Sequence, residues 1–176
     1  KENLIPIYLT NKEIKSYNLI IDEHDDEEEN ISLYYKLISF LNSCDSKIKM
    51  LKYVLDQSTD KDLVFCKYIE HCQETLVRIL TQSNYSFFYV NGQNKNQYKD
   101  KVDIEKRFKQ KERILLSTDA LKFGFNFQFA RRVIHYELPF KMTDFEQSNG
   151  RIQRLGQEHL DIEWLKIGSL TQSGHP

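Results

Sequence analysis

At 176 residues the chain holds one ordinary domain, with room for a single sizeable core but not for two. Hydrophobic residues make up 40% and charged residues 29%, a globular balance. No apolar run approaches the roughly 18 residues that cross a bilayer, which excludes a transmembrane helix. The net charge of −1 conceals a division, because Asp22–Glu29 (DEHDDEEE) carries 7 acidic residues. Positions 30–176 then hold 22 basic and 17 acidic residues, a mildly basic body at +5 that permits a nucleic-acid partner without requiring one. The chain opens on Lys1 and no signal-peptide pattern follows, so a fragment of a longer protein is expected. Cys44, Cys66 and Cys72 form neither a disulfide framework nor a metal spacing, and are expected to stay reduced in an intracellular setting.

In chain order, residues 4–9 (LIPIYL) are apolar and β-prone, and Pro6 limits them to an edge or isolated strand. Thr10 and Glu13 make a capping-box pattern ahead of a helix to about Ile21, which the acidic block ends. Residues 31–41 and 47–55 carry apolar positions at helical spacing, the second set being Ile48, Leu51, Tyr53, Val54 and Leu55. Strand runs follow at Leu63–Cys66, Ser86–Val90, Arg113–Ser117, Arg132–His135 and Ile162–Ile167. Between them lie helical stretches at Glu70–Leu80, at Tyr98–Lys111 (Val102, Ile104 and Phe108 inward) and at Asp144–Leu155. Strands alternating with helices predict an α/β fold with a mostly parallel central sheet covered on both faces.

Three segments carry chemistry. In the first, LVFCKYIEHCQ (Leu63–Gln73), a strand runs straight into a helix, which puts polar groups at the ligand edge of a parallel sheet. The second is Ile114–Ala130, where Ser117 and Thr118 end a strand with hydroxyls suited to a phosphate oxygen. Gly124 there allows close backbone approach, Asn126 supplies a short amide, and the phenylalanines at 123, 125, 127 and 129 read as a core wall. The third is QSNGRIQRLGQ (Gln147–Gln157), where Arg151 and Arg154 lie three apart and share a helix face. Guanidinium groups so placed can grip one phosphate in fork geometry and stabilise the charge that grows on it in a transition state. Each segment alone also admits a plain reading: a strand–helix unit, a turn, a solvated helix face.

In this order and spacing, the segments resemble motifs IV, V and VI of superfamily 2 helicases and translocases. The chain is similar to their C-terminal RecA-like lobe, closest to the Swi/Snf-type ATPases, to which the ending Arg-x-Gly-Gln points. Asp119–Ala120–Leu121–Lys122 departs from the Arg-Ala-Gly-Gly usual after Ser-Thr in that group, and Gln153 stands where a histidine is common. The resemblance implies a lead-in over residues 1–42, the lobe over 43–170 and a tail over 171–176. It implies that Arg151 and Arg154 are arginine fingers toward ATP, that Gln147, Gly124 and Asn126 serve the nucleotide site, and that Lys67, Ser117 and Thr118 touch nucleic acid, expected to be DNA. ATP and Mg²⁺ would be bound mainly by an N-terminal lobe of the same protein. No metal site and no membrane partner are expected in this chain. A non-catalytic binding module and the motor of a restriction or defence system stay open as alternatives. Leu19–Asp25 (LIIDEHD) mimics a Mg²⁺-holding acidic box, but no phosphate loop precedes it and the residues before it read as a capped helix.

Overall fold

The computed structural model describes residues 2–24, 30–118, 121, 125–137 and 163–170. The strands are β1 (Glu2–Tyr8), β2 (Asp62–Phe65), β3 (Phe87–Val90), β4 (Ile114–Ser117), β5 (Arg132–His135) and β6 (Glu163–Leu170). The helices are α1 (Asn11–Asp22), α2 (Asn30–Ser43), α3 (Asp45–Asp56), α4 (Glu74–Gln82) and α5 (Lys101–Gln110). Among the described residues, all strand pairs are parallel and form one sheet in the order β1-β6-β5-β2-β4-β3. The strand with Pro6 is an edge strand, as the missing N–H requires. The expected helix over Asp144–Leu155 lies outside the described residues.

The alternation of side chains along each strand separates two cores. Val64, Cys66, Ile114, Leu116 and Ile134 face one side and pack with Leu51, Val54, Leu55, Leu76 and Leu80 of α3 and α4. Leu63, Phe65, Leu115 and Val133 face the other and pack with Ile104 and Phe108 of α5 and with Phe125 and Phe127. Residues of β2, β4 and β5 are buried throughout, because helices cover both faces of the central strands. The phenylalanine wall is real at Phe125 and Phe127, where the backbone is not a strand.

Local signals set the boundaries. Thr10 caps α1 with both halves of the capping box formed: its hydroxyl accepts from Glu13 N–H at 3.3 Å, and Glu13 Oε2 accepts from Thr10 N–H at 2.7 Å. Asp22 ends α1 and Glu23 is its C-cap, so the acidic-box mimic closes a helix. Asn84, at φ 55°, takes the left-handed position after α4, where asparagine is tolerated. Two expected inward positions are corrected. Val102 is 67% exposed and Tyr53 61%, because Ile104 with Phe108 and Leu51 with Leu55, four apart, define the buried faces. In α3 the inward set instead includes Lys47. The helix expected from Glu70 begins as a π-helical turn over Ile69–Gln73, and that from Tyr98 begins at Lys101. Among the described residues, no helix is long and apolar enough to cross a membrane.

Candidate functional site

Because every described strand pair is parallel, the strands end together and one edge of the sheet collects the loops after β2, β3, β4 and β5. Lys67 follows β2 at this edge and is exposed. Its N–H donates to Glu137 Oε2 at 2.6 Å, and its Nζ lies 5.0 Å from the centroid of the Tyr68 ring. The Tyr68 hydroxyl meets that of Tyr34 at 3.0 Å, which props the ring against α2.

Ser117 and Thr118 stand one strand over. Ser117 is fully buried, and its hydroxyl donates to the Thr118 carbonyl at 2.8 Å, so it shapes the loop from within. Thr118 is 5% exposed and its N–H donates to Val90 O at 3.3 Å. Cys66 N–H donates to Ser117 O at 3.0 Å. The structure therefore brings Lys67, Ser117 and Thr118 to adjacent strand ends. Asn126 sits apart from them, against α5. Its N–H donates to Glu105 Oε1 at 2.6 Å and its amide to Gln128 Oε1 at 2.7 Å. Gly124, Gln147, Arg151 and Arg154 lie outside the described residues.

An amide network missed in the sequence sets the shape of this edge. Gln73, 1% exposed, reaches from the π-helical turn to the carbonyls of Val90 (3.3 Å) and Leu116 (3.5 Å). Asn91 donates to Gln73 Oε1 at 2.6 Å and accepts the N–H groups of Gln93 and Asn94 at 2.8 and 2.9 Å. Asn94 accepts from Asn91 N–H at 2.7 Å and donates to Tyr89 O at 3.0 Å. Val90 O thus receives the Gln73 amide beside Thr118 N–H, and the network ties the loop after β3 to the ends of β3 and β4. In the sequence, Asn91–Gly92 signalled only a turn, and Gln73 was one polar residue among several in an amphipathic helix. Beside this loop, a pocket of about 430 Å³ is lined by Lys95, Tyr98, Lys99, Lys101, Leu121 and Phe125.

A second buried cluster joins α2, α3 and β5. Lys47 Nζ donates to Asn42 Oδ1 at 2.9 Å and lies 4.4 Å from the centroid of the Tyr136 ring. Burial pushes the Lys47 ammonium down from its usual range and the Tyr136 phenol up. Burial also raises the Cys72 thiol, and Cys44 is pushed up to about 12, so neither is a ready thiolate at neutral pH. Among the described residues, no group of three or more histidine, cysteine or carboxylate side chains could hold a metal ion.

The model for the helicase conserved C-terminal domain matches residues 46–156. The chain belongs to that family. It is 34% identical over 134 residues to the uncharacterized ATP-dependent helicase YqhH of Bacillus subtilis, covering 75% of this chain and 23% of that protein. It is 26% identical over 181 residues to the probable ATP-dependent RNA helicase ddx20 of Dictyostelium discoideum, covering 97% and 20%. This helicase C-terminal domain thus spans about a quarter or less of the length of the curated relatives it matches. Its fold is also that of the Sulfolobus solfataricus SWI2/SNF2 ATPase core solved in complex with dsDNA, with a TM-score of 0.69 at 18% identity over 96% of this chain and 41% of that one. The C-terminal part of the Fun30 ATPase domain superposes with a TM-score of 0.62 at 22% identity, over 92% and 50%. The all-parallel sheet with helices on both faces is the expected RecA-like lobe.

Proposed function

We propose that this domain is one half of a DNA-dependent ATPase and translocase of Swi/Snf type. The observation that supports it best is the common edge: Lys67, Ser117 and Thr118 stand at adjacent strand ends, and Arg151 and Arg154 follow β5 in the sequence. In this reading Lys67 and Thr118 meet phosphates of one strand, with Ser117 holding the Thr118 loop. Binding is then nearly independent of sequence and weakens with salt.

ATP and Mg²⁺ fit a division of labour between two lobes. Two arginines three apart suit the outer oxygens of a triphosphate held on the other lobe. When bound, that group supplies the phosphoryl centre and neutralises part of its charge. Arg151 and Arg154 would then stabilise the charge that grows on the γ-phosphate, and Gln147 would support their helix. Gly124 and Asn126 would link the nucleic-acid path to the nucleotide site. Opening and closing of the cleft would step the lobes along the strand.

The test uses the full-length protein. Arg154→Ala should abolish ATP turnover while ATP binding survives. Loss of binding with an intact fold would place that arginine elsewhere. The 176-residue chain alone should not hydrolyse ATP, and robust turnover by it would contradict the half-motor reading. A second reading, an RNA helicase, is favoured by the similarity to ddx20, and Asp119 departs from the Swi/Snf-type pattern. Stimulation of the full-length ATPase by RNA and not by duplex DNA would select it.

A further inference from the structure

Glu137 follows β5 at the same edge. The β2–β5 ladder runs regularly to the Phe65–His135 pair, and Tyr136 N–H donates to Phe65 O at 2.9 Å. In a parallel ladder the next bond on this side would run from Lys67 N–H to the Tyr136 carbonyl. It runs instead to Glu137 Oε2, at 2.6 Å, the length of a charge-assisted bond. A carboxylate has taken the place of a ladder carbonyl where the two strands part.

The other carboxylate oxygen is engaged as well. Glu137 Oε1 accepts from Asn42 Nδ2 at 2.9 Å. Asn42, 2% exposed, is itself saturated: its Nδ2 also reaches His71 O at 3.2 Å, its Oδ1 accepts from Lys47, and its carbonyl accepts from the Tyr136 hydroxyl at 2.8 Å. The Glu137 carboxylate therefore ties the β2 exit loop to the end of α2 and to the exit of β5.

We propose that Glu137 is a positioning residue that bolts the Lys67 loop to the β5 exit and to the end of α2, so that these move as one body. Its consequence for DNA binding rests on the reading of Lys67 as a phosphate contact. The carboxylate is needed because it presents two acceptors to two N–H donors. A glutamine offers one acceptor, and its NH₂ then faces the second donor.

Glu137→Gln in the full-length protein tests this through two readouts: amide exchange at Lys67, and ATP turnover against concentration of duplex DNA. The Lys67 N–H should exchange about tenfold faster or more, as loss of a hydrogen bond to a charged group implies. The KM for DNA should rise about tenfold while kcat at saturating DNA holds within about twofold. Glu137→Asp, which keeps both acceptors one methylene shorter, should recover part of each change. Unchanged exchange at Lys67, or a fall in kcat with KM unchanged, would overturn the proposal. Lys67→Ala keeps the two ideas separable. If it leaves KM for DNA untouched while Glu137→Gln still frees the Lys67 N–H, the phosphate-contact reading fails and the bolt stands.

Discussion

The two edges of the sheet are held by different chemistry. At the N-terminal edge Asp62, with no exposure, receives Arg132 Nε at 2.6 Å and Nη2 at 2.7 Å, and Arg113 Nη2 at 2.9 Å. Arg132 Nη1 continues to Val54 O at 2.8 Å, and Arg113 also donates to Leu55 O and Asp60 O. Arg131 pairs with Asp60 at 2.9 Å and Lys61 donates to Glu112 O at 2.8 Å. Burial pushes the Asp62 carboxyl up, against the pull of Arg132 and Arg113, so the cluster holds only while its partners are complete. At the C-terminal edge the buried polar groups around Gln73, Asn91, Asn94 and Ser117 are amides and hydroxyls, while Lys67, Lys95, Lys99 and Lys101 are exposed. Ion pairs fasten one edge. At the other, amide and hydroxyl bonds together with the Glu137 carboxylate on Lys67 N–H shape the loops and leave cationic side chains toward solvent, where an anionic strand could meet them.

That contrast can be broken in steps. Asp62→Ala should have the largest effect, on the order of 3–5 kcal/mol in denaturant unfolding, because it leaves the buried Arg132 guanidinium without its carboxylate. A loss under about 1 kcal/mol would mean that the charged edge is not structural. Gln73→Leu should cost about 1–3 kcal/mol, since it strips the Val90 and Leu116 carbonyls and the Asn91 amide of a partner. It should also loosen the loop after β3, read as faster amide exchange at Asn94.

Glu13 is the charged group that does structural service at the start of α1. Burial pushes its carboxyl up, but bonds from the Ser46 hydroxyl and N–H and from Thr10 outweigh burial and lower it from the usual 4.5 to about 2. Its contribution is therefore complete above about pH 4.5 and is lost as pH falls toward about 2. Glu13→Gln should flatten the pH dependence of stability in that window, and an unchanged slope would assign it to other groups. Val102→Ser should be smallest, within about 0.5 kcal/mol, because the side chain is 67% exposed.

The fold was legible in the sequence because its periodic features are local: the Thr10–Glu13 capping box, Pro6 on an edge strand, and the Cys72, Leu76, Ile79, Leu80 face of the helix after β2. Boundaries moved where geometry departed from period 3.6, at the π-helical turn before Glu74. Of the candidate site, strand-end residues such as Lys67 and Thr118 could be placed from strand–helix alternation alone. Asn42, Lys47, Gln73 and Glu137 could not. Their partners lie 5 to 95 residues away in sequence, and a lysine or glutamine in a helical register reads as solvent-facing until tertiary packing closes over it.

The most direct test compares the two edges by the salt dependence of DNA binding to the full-length protein. Lys67→Ala, at the C-terminal edge, should weaken binding and reduce the slope of log affinity against log salt by about one. Lys61→Ala, at the N-terminal edge, should leave that slope unchanged. An unchanged slope for Lys67→Ala, or an equal loss for Lys61→Ala, would contradict the assignment of the C-terminal edge as the working edge.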